Sequence, residues 1–234
     1  MCVLLDVGGM RATGRSMRRR TLPVTAFLNV LLVMFGASCS SSSPVAPSAS
    51  APTVHDTLNP PGSASNADGA TSERSGAFDR QTYDDFVIPA ATRVRTIGWQ
   101  GIRAVAQPVT SFFVAFVADN SGFPRLEPDA GNTGRPRALY IATFPVAQVN
   151  ERLDVTQACT NSPLQQCGLY DYSVTLTTPF DVAAGTRYWL LIQAETPATA
   201  FAAWTWRRGT ADNQRAGTNI AGTIHLFDLA FSLR

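Results

Sequence analysis

The segment "LYDYSVTL", residues 169–176, alternates strictly. Tyr170, Tyr172, Val174 and Leu176 fall on one side of an extended chain, while Asp171, Ser173 and Thr175 fall on the other. Successive side chains of a strand point to opposite faces, so the pattern predicts an antiparallel strand with one face in a core and one face wet. Two other segments differ. In "FFVAFVA" (112–118) and "YWLLIQA" (188–194) both faces are apolar. Those strands are expected near the centre of a sheet, with the outer side covered or left as an apolar patch suited to a partner.

Outward from these segments the texture persists. From Phe78 onward, short runs rich in Val, Ile, Thr, Phe, Tyr and Trp alternate with clusters of Gly, Pro, Asn and Asp. No window carries a long helical period. Eight strands are predicted, over about 82–88, 93–105, 110–118, 138–149, 169–177, 187–194, 200–207 and 222–233. The sequence therefore reads as all-β: a two-sheet antiparallel β-sandwich, jelly-roll-like, over residues 77–234.

The front of the chain reads differently. Residues 40–76 are dominated by Ser, Ala, Pro and Gly, and their apolar residues show no period. Such a segment cannot bury enough surface to offset its ordering entropy, so 39–76 is expected to be a disordered tether. Ahead of it, Arg15, Arg18, Arg19 and Arg20 form a basic cluster, 22–35 is mostly apolar, and Gly36, Ala37 and Ser38 are small. This is the order of a secretory signal peptide, and its apolar part is shorter than the roughly 20 residues of a membrane span. Residues 1–38 are read as that signal; a start at Met17 would make it compact. A cysteine directly after the small residues resembles the lipobox of bacterial lipoproteins. That resemblance implies cleavage before Cys39 and a diacylglycerol on its thiol, hence an exported envelope protein anchored to a membrane by lipid. Ser40 in place of Asp favours the outer membrane over the inner. The alternative is ordinary cleavage nearby, with Cys39 incidental.

The leader also decides the sign of the charge. The whole chain is formally +2, but residues 1–38 hold five Arg and one Asp, which leaves 14 Arg and 16 acidic residues in the rest. A net charge near −2 carries no basic footprint for nucleic acid. Of the four cysteines, Cys2 lies in the leader and Cys39 is the lipid candidate. Cys159 and Cys167 remain, separated by a Ser-Pro turn, and an oxidising compartment favours a disulfide between them. Two cysteines without a nearby histidine are poor zinc ligands.

Six segments, taken in order, resemble a broad group of bacterial secreted and surface proteins built on one β-sandwich domain. They are "YDDFVIP" (83–89), "IGWQG" (97–101), "FFVAFVADNSGFP" (112–124), "YDYSVTLTTPFDVAAGTRYWLLIQA" (170–194), "WTW" (204–206) and "DLAFSL" (228–233). The resemblance implies fold and location, and it brings no catalytic residues with it.

Candidate sites are few. Trp204 and Trp206, two apart, share a strand face. Flat aromatic pairs stack on sugar rings, and Arg207 or Arg208 would then bond hydroxyls; the competing role for these tryptophans is to fill the core. Asp84 and Asp85 in the first strand and Asp228 in the last are weak Ca²⁺ candidates, set against charged residues that blunt strand edges. Otherwise no cofactor is expected. His55 falls in the expected tether and His225 near the last strand, so a Ser-His-Asp arrangement has only His225 to use. No G-x-S-x-G, H-E-x-x-H or phosphate-binding glycine loop is present. The sequence thus points to a non-catalytic, lipid-anchored envelope protein whose sandwich is a binding or interaction module for glycan. A structural or adhesive protein with a protein partner is the alternative, and a hydrolase is more distant.

Overall fold

The computed structural model describes residues 52–64, 68–76, 78–125, 138–159, 162–197, 204–210, 213–218 and 224–234. The chain enters with β1 (His55–Asp56), β2 (Gly69–Thr71), β3 (Glu73–Ser75) and β4 (Phe78–Arg80). Four longer strands follow: β5 (Thr82–Val87), β6 (Thr92–Ala104), β7 (Ser111–Ala118) and β8 (Tyr140–Pro145). One 3₁₀ turn, Val146–Gln148, leads into β9 (Asn150–Cys159), then β10 (Ser162–Val182) and β11 (Arg187–Glu195). Four short strands close the chain: β12 (Thr205–Arg207), β13 (Ala216–Thr218), β14 (Ile224–His225) and β15 (Phe231–Leu233).

These strands form two packed sheets. The first runs β1-β15-β6-β10-β9, with β12 also on β6 and carrying β2. In the second, β11 is central: β7 and then β8 lie on one side, and β5, β13 and β14 on the other. β3 extends that second side past the end of β5 and is the parallel partner of β11; it carries β4. Counting β1, β5, β6, β7, β8, β10, β11 and β15 as the eight principal strands, the sheet orders are 1-8-3-6 and 2-7-4-5. That is a jelly roll, with β9 added at one edge.

The alternation in "LYDYSVTL" holds. Tyr170, Tyr172, Val174 and Leu176 lie in the core between the sheets. Trp99 stacks on Tyr172 at 5.5 Å, and Phe112 meets Trp99 edge-on at 5.1 Å from the opposite sheet. Phe116 stacks on Phe180 at 4.2 Å. Each fully buried side chain of this size contributes roughly 1.5–3 kcal/mol through burial alone, so this aromatic layer dominates the packing. The doubly apolar strands behave as read. Phe112, Val114 and Phe116 face the core, while Phe113, Ala115 and Val117 join Tyr83, Trp189 and Leu191 in a second cluster on the outer side of the second sheet.

Two expectations are corrected. Residues 52–64 and 68–76 are not a disordered tether but part of the sandwich. β1 pairs with β15 in the first sheet, β2 with β12, and β3 with β11. Thr57 donates to Leu229 O at 2.6 Å, and His55 stacks on Phe231 at 4.5 Å. The sparse apolar residues there gain order from hydrogen bonds to strands far away in sequence. The second correction is β9, a ten-residue strand that the pattern did not predict.

Candidate ligand-binding groove

The outer face of the first sheet carries a polar groove of about 630 Å³. Register builds its floor. Asn150 on β9 lies opposite Ser173 on β10, Ser173 opposite Gly98 on β6, Gly98 opposite Ser232 on β15, and Ser232 opposite Asp56 on β1. One row thus crosses five strands with polar side chains and a single gap. Gly98 is the gap: a Cβ there would sit 2.8 Å from Ser232 Oγ, so this position of the floor carries no side chain and has no room for one without a shift of Ser232.

A second row runs alongside: Arg152 opposite Asp171, and Asp171 opposite Gln100. These side chains form a continuous network. Arg152 pairs with Asp171. Gln100 Nε2 donates to Asp171 Oδ1 at 2.9 Å and to Asn59 O at 3.1 Å. Gln100 Oε1 accepts from Asn59 N and Nδ2 at 3.0 and 2.9 Å. Gln100 is therefore satisfied at both ends although it is only 2 % exposed. The "NPPG" segment at 59–62 is the groove wall, held by this amide pairing at one end. At the other, Gly62 N donates to both carboxylate oxygens of Asp154, at 3.0 and 2.9 Å. Asp154 reaches it because the β9–β10 register shifts between Leu169 and Tyr170, and a bulge re-aims side chains. Beneath the wall, buried Arg207 donates to Ser63 O at 2.7 Å. Burial pulls its pKa down, against the opposing pull of Asp154 and Asp171.

The cysteine pair is a disulfide. Cys159 and Cys167 are bonded with Cα atoms 4.9 Å apart, closing the β9–β10 hairpin that supplies Asn150, Arg152 and Asp171. The expected aromatic platform is absent from the surface. Trp204 and Trp206 do share a face, but it is the inner one, and both are 0 % exposed. Trp204 packs edge-on to Phe112 and Tyr172 at 5.5 and 6.4 Å, and Trp206 Nε1 donates to Ala230 O at 3.0 Å. Arg208 lies 3.8 Å from Asp68 and over the Phe227 ring, and its carbonyl accepts from Asn59 Nδ2. Alternation alone does not say which face of a three-residue strand is inside.

β5 and the segment before β15 do bring the three aspartates into one region, but they are engaged by the fold. Asp84 accepts from Leu229 N at 2.7 Å, and Asp228 accepts from Gln214 N and Arg215 N at 3.0 and 2.9 Å. Asp85 accepts from Asn213 at 3.1 Å and lies 3.1 Å from Arg187 Nε. Desolvation by burial, backed by the neighbouring carboxylates, pushes the Asp84 pKa well up. Desolvation also raises Asp85, against its bond to Asn213 and the nearby arginines. Among the described residues, no three His, Cys, Asp or Glu side chains are grouped to hold a metal. His225 lies 5.0 Å from the Phe227 ring, and burial beside Arg80 lowers its pKa. Cys39 lies outside the described residues.

No family model matches this chain, and no curated protein matches it. Among solved structures, a CocE/NonD family hydrolase from Staphylococcus aureus is similar over 70% of this chain and 33% of that one, at 9% identity and a TM-score of 0.31. This chain thus spans about a third of that protein's length, and a likeness of this size bears on neither fold nor activity.

Proposed function

We propose that this chain is a non-catalytic binding module of the cell envelope, held by a lipid on Cys39, that takes a hydroxyl-rich ligand, a glycan, in the groove of the first sheet. One observation carries the reading: the five-strand row from Asn150 to Asp56, interrupted at Gly98. It carries an amide, two hydroxyls and a carboxylate, offering donors and acceptors to a ligand that needs both. The side chains sit on paired strands, which fixes their spacing before a ligand arrives. The two carboxyls raised by burial, Asp84 and Asp85, lie outside the groove lining and are engaged by backbone, Asn213 and Arg187 groups.

The test is a glycan array probed with the full chain, followed by calorimetry on any hit. Asn150→Ala and Ser173→Ala should each weaken binding about 5- to 10-fold, the loss of one hydrogen bond at roughly 1–1.5 kcal/mol. Binding that ignores both substitutions would refute the groove. For the anchor, mass spectrometry of the mature N-terminus should find diacylated Cys39, and Cys39→Ala should leave the membrane fraction. An unmodified Cys39 would refute the lipid.

A further inference from the structure

We propose that β8 is a self-pairing edge: two copies join β8 to β8 in antiparallel two-fold register, so that one sheet runs through both. Among the described residues β8 pairs with β7 alone. Among the described residues the sheet therefore ends on a row of strand backbone groups that a further strand would satisfy. Edges of this kind are ordinarily blunted by charge, and others in this molecule are: β9 carries Glu151, Arg152 and Asp154, and β4 carries Asp79 and Arg80. β8 reads Tyr-Ile-Ala-Thr-Phe-Pro, with no charge along its length. Leu139 just before it is 56 % exposed, and Ile141 within it is 52 % exposed.

The occupant follows from that composition. A two-fold places the strand opposite itself, and a strand without charge meets no like charge there. A charged partner strand would find no counter-charge on this edge. The faces also agree. Tyr140, Ala142 and Phe144 turn to the core, opposite Phe116, Val114 and Phe112. Ile141 lies opposite Ala115 at the margin of the outer apolar cluster, and Thr143 lies opposite Phe113. In the paired sheet the second copy's Ile141 falls on the same outer face and extends that cluster.

Antiparallel pairing within one sheet keeps both copies the same way up, so the two grooves open to the same side. Where the glycan reading holds, this makes the pair bivalent toward a repeating surface polymer. The dimer itself does not depend on that reading. A six-residue edge is smaller than a standard interface, so the pairing is concentration-dependent and is favoured by confinement to a membrane.

The test is native mass spectrometry of the full-length mature protein, from roughly 10 µM to roughly 500 µM, with hydrogen exchange read across β8. A species of twice the single-chain mass should grow with concentration, and the β8 amides should slow with it. Ile141→Lys with Thr143→Lys should leave a single copy, with the melting temperature kept, because both side chains are exposed. A single copy throughout, a dimer indifferent to the two lysines, or growth beyond two copies would each overturn the proposal. Glycan binding by the lysine variant, as a single copy, would leave the groove standing while the bivalence is lost.

Discussion

Gly101→Ala tests the placement of the paired tryptophans. A Cβ at Gly101 would lie 2.7 Å from Trp204 Nε1 and 2.8 Å from its Cε2 and Cζ2. The indole has no room to step aside, being fully buried between Phe112 and Tyr172. Overpacking of this kind costs about 1–3 kcal/mol. The restricted unfolded chain returns about 0.4–1 kcal/mol, leaving a net loss of about 1–2 kcal/mol. At about 2–4 °C per kcal/mol for a chain of this size, the melting temperature should fall by roughly 2–8 °C. Calorimetry and near-ultraviolet circular dichroism read it. Trp204→Phe removes the ring atoms that clash. The cycle of the two substitutions should therefore show coupling of about 0.5–3 kcal/mol, with the double variant losing less than the sum. A Gly101→Ala variant within about 0.5 kcal/mol of the parent, or strict additivity, would refute the packing and return Trp204 to the surface.

Three further outcomes are expected. Cys159→Ser opens a disulfide spanning eight positions and should cost about 2–3 kcal/mol, read by urea unfolding under oxidising conditions against the oxidised parent; equal midpoints would contradict a staple. Asp84→Asn should hold or raise stability at pH 7. The folded pKa of Asp84 stands above its ordinary value of 3.8, so its favourable contribution is complete below about pH 4 and is lost as pH rises through the folded value; a variant with an unchanged pH slope above pH 4 would count against this. Asp154→Ala leaves Gly62 N without its carboxylate and should speed hydrogen exchange of residues 57–63 by about 10-fold or more, while the β10 amides keep their protection; equal rates at 57–63 would remove Asp154 as the anchor of the wall.

The fold was legible where one strand carries enough information by itself. "LYDYSVTL" states its buried and wet faces within eight residues, and "FFVAFVA" and "YWLLIQA" state that neither face is wet, which matches the two clusters they enter. β9 escaped because "NERLDVTQAC" is an edge strand: among its ten residues only Cys159 is buried, so no apolar alternation was required of it. The start of the domain escaped for a related reason. Composition measures whether a segment can bury its own surface, whereas Thr57, Asn59 and Gly62 are ordered by accepting and donating hydrogen bonds to residues 41 to 174 positions away.

The groove shows the same limit from the side of function. Its wet residues on β10, Asp171 and Ser173, were visible as the polar face of a strand, and "IGWQG" alternates in the same way, with Ile97 and Trp99 inside and Gly98 and Gln100 outside. What neither segment states is which residue of a distant strand stands beside it. Asn150, Ser173, Gly98, Ser232 and Asp56 become one row through four pairings between residues 23 to 176 positions apart in sequence. A shift of one residue in any of them would turn the polar side chains of that strand into the core. The aromatic residues of the same strands set the register, because Trp99, Tyr172 and Phe231 must meet between the sheets. The row of the groove is thus a consequence of the core: packing the aromatic layer on one face leaves a single arrangement of polar groups on the other.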